Sequence, residues 1–129
     1  TLFLLILILA LPFTGPAMNV YYKQPIKIEI TKDEVEASQG ITNYRIKLSD
    51  IKNVELIDEL SDDLVRVNGT SFDDLLKGDF RDGNENLTLM LRPNSKPFIR
   101  ITDKNGKIFV FSFRGDVKGK FEEIRKSLK

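Results

Sequence analysis

The stretch that decides the fold is FIRITDKNGKIFVFSF, which runs from Phe98 to Phe113. Apolar residues recur with a period of two in both halves, and this periodicity indicates β-strands. Asn105-Gly106 lies between the halves and is a strong hairpin signal, because both residues tolerate positive φ. Phe109, Phe111 and Phe113 fall on one face of the second half. The stretch therefore predicts an antiparallel hairpin with one strongly apolar face.

Earlier segments of the chain continue the same alternation. Two segments rich in turn-forming residues, Thr31–Gly40 and Leu91–Pro97, predict turns between strands. The predicted strands are IKIEI at 26–30, YRIKL at 44–48, IKNVELI at 51–57 and LTLML at 87–91.

The C-terminal segment changes to a helical period. Val117, Phe121, Ile124 and Leu128 follow one another at steps of four, three and four, which places them on one stripe of a helix. Asp116 is the expected N-cap. A sheet needs its apolar face covered, so we expect this amphipathic helix to pack on the strands with Phe121 and Ile124 inward.

The N-terminal segment has a different composition. Leu2 to Leu11 contains no polar residue, although a complete membrane span needs about 20 apolar residues. We interpret residues 1–18 as a hydrophobic membrane segment, a transmembrane helix that is cut short, and residues 19–25 as a linker. The alternatives are a signal peptide cleaved near Ala17 to Asn19 and a buried helix, which the lack of a polar face disfavours.

Charge and composition exclude several classes of function. The net charge is +1, which is not the signature of a nucleic-acid-binding protein. The chain has no cysteine and no histidine, so thiolate nucleophiles and Ser/His/Asp catalysis are excluded. Lys23, Lys27 and Lys32 follow the apolar segment and favour a cytoplasmic position for the domain, on a membrane that the chain crosses once or more.

The charges are distributed unevenly along the sequence. Residues 50–86 contain eleven acidic and four basic residues, whereas residues 87–129 contain eleven basic and four acidic residues. The two regions could neutralise each other across the fold. Alternatively, the basic helix faces anionic lipid, where each basic residue adds about 1 kcal/mol. The candidate lipid contacts are Lys118, Lys120, Arg125, Lys126 and Lys129.

The middle of the chain, RVNGTSFDDLLKGDF at 66–80, fits no simple period. We interpret it as a long irregular connection that turns at Asn68-Gly69 and at Lys77-Gly78. The spacing of Phe72, Leu75 and Leu76 predicts a short helical turn packed against the sheet.

The aspartates around this connection are candidates for chemistry. Asp62-Asp63 and Asp73-Asp74 could form an acid/base pair or an oxygen-ligand metal site, but neither has the alternating spacing of a calcium loop. We expect these carboxylates to be solvated, and Arg66 and Lys77 to form local ion pairs or to be solvated themselves.

Residues 25–129 resemble the bacterial pleckstrin-homology domain family, in particular its small membrane-anchored members. The resemblance implies a bent antiparallel sheet or partly open barrel, closed by one C-terminal helix, in a domain covering residues 26–129. An N-terminal hydrophobic anchor is common in this family, whose ligands are largely unassigned, and the resemblance implies no catalytic activity. The matching stretches are LSDIKNVELIDEL, RVNG followed by LKGDFR, KPFIRITDKNGKIFVFSF and FEEIRKSL.

Six residues of the central connection belong to the family motif. We interpret these residues mainly as determinants of the backbone conformation, with ligand contact as a second role. The segment TSFDDLL departs from the Gly- and aromatic-rich family pattern, which puts a shared ligand role in doubt. The six are Arg66, Asn68, Gly69, Lys77, Gly78 and Phe80.

The sequence thus predicts a membrane-tethered, non-catalytic binding or scaffold module. Its partner would be a protein, a peptide or an anionic lipid, and it would need no metal or other cofactor. Two alternatives stay open: a small metal-dependent hydrolase that uses the loop aspartates, and a secreted adaptor whose hydrophobic start is cleaved.

Overall fold

The computed structural model describes residues 24–72 and 74–128, and this part of the chain contains nine strands in two sheets, followed by one α-helix. The prediction of a mainly β fold with a C-terminal helix is confirmed. The elements are β1 (Ile26–Ile30), β2 (Glu34–Gln39), β3 (Thr42–Lys47), β4 (Ile51–Ile57), β5 (Leu64–Phe72), β6 (Leu75–Asp82), β7 (Glu85–Leu91), β8 (Phe98–Asp103), β9 (Ile108–Phe111) and α1 (Val117–Ser127).

The first sheet is an antiparallel meander in the order β1-β2-β3. Strand β2 lies within the segment for which the sequence predicted only turns, so that prediction is wrong. Val35, Ala37 and Gln39 are buried and alternate with half-buried residues. Their period of two was obscured because alanine and glutamine are weak hydrophobic signals.

The second sheet has the order β4-β8-β9-β7-β6-β5. Strands β7 and β9 are parallel, whereas the other neighbours are antiparallel. The expectation of a purely antiparallel sheet is therefore wrong at this one pair, because β9 returns from the β8–β9 hairpin into the position beside β7. The sheet is open, with β4 and β5 at its two edges.

The six-stranded sheet buries apolar side chains on both faces. One face packs against the three-stranded sheet and α1, in a core that includes Ile28, Val35, Phe111 and Ile124. The other face carries a second core around Leu89, and its strand β7 is buried at every position from Leu87 to Leu91. Burial of consecutive positions on this strand follows because both faces of the sheet are covered there, and it includes the polar Thr88.

Helix α1 contacts β1, β4 and β8, in agreement with its predicted role as a cover. Val117 and Ile124 are buried and Phe121 is half-buried against the same core. The predicted N-cap is confirmed, because Oδ1 of Asp116 accepts a hydrogen bond from the Gly119 amide at 3.0 Å. A side chain at Gly119 would collide with the capping carboxylate, so glycine provides the space that the cap needs.

The β8–β9 hairpin forms as predicted. Asp103 Oδ1 accepts hydrogen bonds from the amides of Asn105 at 2.9 Å and Lys107 at 2.8 Å. The Gly106 amide donates to the Asp103 carbonyl at 3.1 Å. The turn is therefore fixed by residues within four positions of one another.

The central stretch at 66–80 is a second hairpin, and the prediction of an irregular connection is wrong. Strands β5 and β6 pair from Leu64↔Asp82 to Phe72↔Leu75. Leu75 and Leu76 belong to a strand, so the predicted helical turn is also wrong. One bulge, between Arg66 and Asn68, breaks the alternation that would otherwise have revealed the strand.

The hydrophobic segment at residues 1–18, and the linker up to residue 23, lie outside the described residues. Within the described part of the chain, none of the helices has the length and apolar character needed to cross a membrane. The prediction of an N-terminal membrane segment therefore stays a prediction.

Candidate functional site

The family-motif residues lie in a strand pair rather than in a loop. Gly69 and Gly78 are register partners, and Arg66 pairs with Phe80. The predicted turns at these glycines are therefore wrong. Phe80 faces the second core and Lys77 lies on the opposite face of β6, so the motif does not converge on one site. Arg66 is exposed, as expected for a solvated cation.

The two glycines allow the strands to approach each other closely. A Cβ placed on Gly78 would lie 2.5 Å from the Gly69 Cα and 2.6 Å from the Asn68 carbonyl oxygen. Gly78 also has φ of 118°, which L-amino acids rarely adopt. The glycine pair is therefore a structural requirement of the β5–β6 hairpin.

Lys77 is buried, so the expectation that it is solvated is wrong. Its side chain is 7% exposed, and Nζ donates a hydrogen bond to Oε1 of Gln39 at 2.7 Å. Gln39 is fully buried, and its Nε2 donates to the Gln24 carbonyl at 3.3 Å. The three residues form a polar chain that joins β6, β2 and the start of the described domain.

The Gln24 carbonyl is held from a second side. Arg92 Nη2 donates a hydrogen bond to it at 3.3 Å. These bonds connect Gln24 to residues 15 and 68 positions away in the sequence. The point at which the chain enters the domain from its apolar N-terminal segment is thus fixed against both sheets, and we call this side of the molecule the entry end.

A cavity of about 610 Å³ opens at the entry end, and we call it the entry cavity. It lies where the chain enters β1, where β7 leads to β8, and where β9 leads to α1. Its described lining residues are Pro25, Ile26, Arg92, Asn94, Ser95, Lys96, Phe113, Arg114 and Gly115.

The described residues that line the entry cavity carry a net positive charge. Arg92, Lys96 and Arg114 line it, and its described lining contains no carboxylate. Neither Lys96 nor Arg114 has a carboxylate oxygen within salt-bridge distance among residues 24–72 and 74–128. Three acidic residues lie nearby but outside this lining. Asp116 follows the lining residue Gly115 directly and caps α1, while Glu59 and Asp62 line a separate cavity that shares Lys96.

A second cavity, of about 410 Å³, lies at the opposite end of β8 and β9, and we call it the far cavity. It also contains three cations, but three carboxylates lie among them. Arg45 Nε is 3.9 Å from Glu34 Oε1, so part of this charge is paired directly. The charged lining residues are Glu34, Arg45, Lys47, Asp50, Asp103 and Lys107.

The basic residues of α1 form a less concentrated surface. Lys120 pairs with Glu123 at 3.0 Å, and Arg125 pairs with Glu122 at 2.6 Å. Lys118 and Lys126 are exposed, and Lys129 lies outside the described residues. Two of the five predicted lipid contacts are therefore engaged in ion pairs on their own helix, which reduces the positive field of this surface.

The aspartates of the central region are spread over separate elements. Asp62 and Asp63 precede β5, while Asp74 lies in the β5–β6 turn with φ of 61°. Asp73 lies outside the described residues. In the described part of the chain, no group of three or more acidic residues is arranged to hold a metal ion.

Strand β5 is an exposed edge of the larger sheet. Val65 and Val67 on this strand are 60% and 55% exposed, which is unusual for large apolar residues in this domain. Edge strands can accept an additional strand from a partner, although the bulge at Val67 interrupts the row of free backbone groups.

The cations of the entry cavity were not selected from the sequence. Arg92 and Lys96 lie in a segment interpreted only as a turn, and Arg114 lies in the connection to the helix. A signal was present, since basic residues flank both outer ends of the stretch from Phe98 to Phe113. Because β8 and β9 form a hairpin, its two outer ends must meet.

Comparisons with protein-family models, with curated proteins and with solved structures gave no match to this chain. The resemblance to pleckstrin-homology domains therefore stays a prediction, and the function has to be argued from the geometry of this molecule.

Proposed function

We propose that this protein is a membrane-tethered, non-catalytic binding or scaffold module with a pleckstrin-homology-like architecture. The apolar segment at residues 1–18 is the tether, and the domain that begins at residue 26 is the part that binds. A tether raises the local concentration of the domain at the bilayer, so that even weak surface contacts become effective.

The observation that carries the proposal is the fixed attachment of Gln24. Its carbonyl accepts hydrogen bonds from Gln39 of the small sheet and from Arg92, which follows β7 of the large sheet. The chain is therefore held to the domain from Gln24 onward, and the end of the domain that lies closest in sequence to the tether carries the entry cavity.

Substitutions in the apolar segment test the tether in the full chain. An arginine at the centre of a membrane helix costs about 2.5 to 3.5 kcal/mol on insertion scales. We expect the wild-type chain to stay with membranes during alkaline extraction, and the double variant Leu5→Arg/Leu9→Arg to be released. Ile41→Arg is the matched control, because Ile41 is 88% exposed in the β2–β3 turn, and we expect it to behave as wild type.

Retention of the double variant on membranes would contradict the tether. The mass of the mature protein isolated from cells distinguishes the secreted-adaptor alternative. A mature N-terminus between Ala17 and Asn19 would show that the hydrophobic start is removed, whereas an uncleaved segment supports the anchor.

The hydrolase alternative is tested by calorimetry with calcium, magnesium and manganese. For the proposed module, we expect these titrations to show no tight, stoichiometric binding of any of the three metal ions. Tight binding that disappears in Asp79→Asn, but not in the exposed control Asp33→Asn, would favour a metal-dependent enzyme instead.

A further inference from the structure

We propose that the entry cavity binds the phosphate group of an anionic lipid headgroup, with Lys96 and Arg114 as its principal contacts and Arg92 as a supporting cation. This inference rests on the proposed tether, and it goes beyond that function by naming the ligand class and the site.

The described lining of the entry cavity is positively charged. Three cations line one cavity whose described lining has no carboxylate, although the complete chain has almost equal numbers of acidic and basic residues. Like charges that share a cavity repel one another, and an anion within the cavity relieves this repulsion. Guanidinium and ammonium groups are the common protein partners of phosphate.

The cavity lies close in sequence to the proposed tether. Pro25 lines it and follows directly after Gln24, the fixed entry point of the chain. Because the proposed tether ends at residue 18, the cavity lies within a few residues of it along the chain. A lipid headgroup is therefore the phosphate source that the cavity meets at high local concentration.

The wall of the entry cavity combines apolar and basic side chains. Ile26, Pro25 and Phe113 line the same cavity as the cations. Phe113 is half-buried and packs against the main core, so its ring is held in place. A wall that combines fixed apolar surface with cations suits the boundary between headgroups and acyl chains better than it suits a hydrated free anion.

The three cations do not act equally. Arg92 donates a hydrogen bond to the Gln24 carbonyl, so substitution of this residue would also loosen the entry point. Lys96 and Arg114 are exposed and form no ion pair with described residues, so each can be changed with little effect on the fold. The test therefore uses these two positions and leaves Arg92 intact.

The experiment uses the full chain in lipid nanodiscs. Amide resonances of Ser95 and Gly115 report on the entry cavity, and that of Gly106 reports on the far end of the domain. When phosphatidylglycerol replaces phosphatidylcholine, we expect the Ser95 and Gly115 resonances to shift and the Gly106 resonance to stay. The apparent affinity for phosphatidylglycerol should fall about fivefold for Lys96→Gln and again for Arg114→Gln.

Lys104→Gln is the matched control, because it removes the same charge from the exposed turn at the far end. It should leave the affinity unchanged. An unchanged affinity in Lys96→Gln/Arg114→Gln, or an equal loss in Lys104→Gln, would overturn the assignment of the site.

A further arm separates the two sources of phosphate. Inorganic phosphate added to phosphatidylcholine discs should produce little of the shift. If inorganic phosphate alone reproduces the full shift, the cavity is a free-anion site and the lipid assignment is wrong. If the wild-type chain does not co-elute with the discs, the proposed membrane tether is wrong. This outcome is distinct from failure of the lipid assignment, which is measured on chains that do co-elute.

Discussion

The entry cavity and the far cavity are both lined by three cations, yet they differ in what surrounds those cations. At the far cavity, three carboxylates lie among them. At the entry cavity, the described lining has none. The proposed anion site therefore differs from the far cavity in the absence of carboxylates from its described lining, and not in its number of cations.

The two ends also differ in how they are held. The far end depends on local contacts, such as the bonds from Asp103 to residues two and four positions away. The entry end depends on the chain from Lys77 through Gln39 to Gln24, which joins residues 38 and 15 positions apart. The structure of the entry end therefore depends on contacts between segments that are distant in the sequence.

The largest expected effect is on the glycine pair beside Lys77. Gly78→Ala places a methyl group against the backbone of β5 at a φ that alanine avoids. We expect a loss of about 3 kcal/mol or more in the free energy of unfolding, from backbone strain and overpacking together. Chemical denaturation measures this loss.

The matched control is Gly83→Ala, in the β6–β7 turn. Its φ of 60° is also positive, but an added Cβ meets no atom within 4 Å. We expect a cost of about 1 kcal/mol there, from the backbone alone. Equal losses in the two variants would contradict the close approach of β5 and β6.

The next effect concerns the buried polar chain. Gln39→Leu removes the acceptor of the Lys77 ammonium, and a hydrogen bond to a charged group contributes about 1.5 to 3 kcal/mol. We expect a stability loss of that size, together with faster hydrogen exchange at the start of β1. Gln24→Ala should be close to neutral, because the bonds at this position are made by its backbone carbonyl. A large loss in Gln24→Ala would refute this division of roles.

A smaller effect is expected at the far hairpin. Asp103→Ala removes two side-chain hydrogen bonds to exposed amides, and we expect a loss of about 1 kcal/mol in thermal or chemical unfolding. Because these contacts are local, the amide resonances of Ser95 and Gly115 should not move. A perturbation that reaches the entry cavity would show that the two ends are coupled.

The smallest expected effect comes from removing two of the carboxylates that lie among the cations of the far cavity. Glu34→Gln/Asp50→Asn leaves Asp103 as the one carboxylate in the described lining of the cavity, and Arg45 keeps its ion pair with Glu36 at 3.1 Å. Exposed charge pairs contribute at most about 1 kcal/mol, so stability should change little. Weak binding of inorganic phosphate should appear near Phe109, measurable by chemical-shift titration. If inorganic phosphate binds the far cavity of the wild-type chain equally strongly, the carboxylates there do not prevent anion binding, and they do not distinguish the two cavities.

Local signals explain which parts of the fold were predictable. The Asn105-Gly106 turn, the alternation of β1 and the stripe of α1 each lie within a few residues, and the structure confirms them. By contrast, β5 and β6 were missed because a bulge and two glycines interrupt the alternation. Their pairing is favoured by a close backbone approach that no local pattern describes.

The candidate site was not predictable for a related reason. Lys77 looked like a solvated cation among aspartates, but its partner, Gln39, lies 38 positions away in the sequence. Arg92, Lys96 and Arg114 converge only after the β8–β9 hairpin has closed and α1 has packed. The sequence shows the charges, whereas their convergence depends on contacts between distant segments.

The most direct test of the central claim compares the distances of the two ends from the bilayer. The chain has no cysteine, so a fluorophore can be attached at Asn94→Cys at the entry end or at Asn105→Cys at the far end. In nanodiscs that contain phosphatidylglycerol and lipids spin-labelled at the headgroup, we predict strong quenching of the label at position 94 and weak quenching at position 105. Equal quenching at the two positions, or stronger quenching at 105, would contradict a domain that docks on the membrane by its entry end.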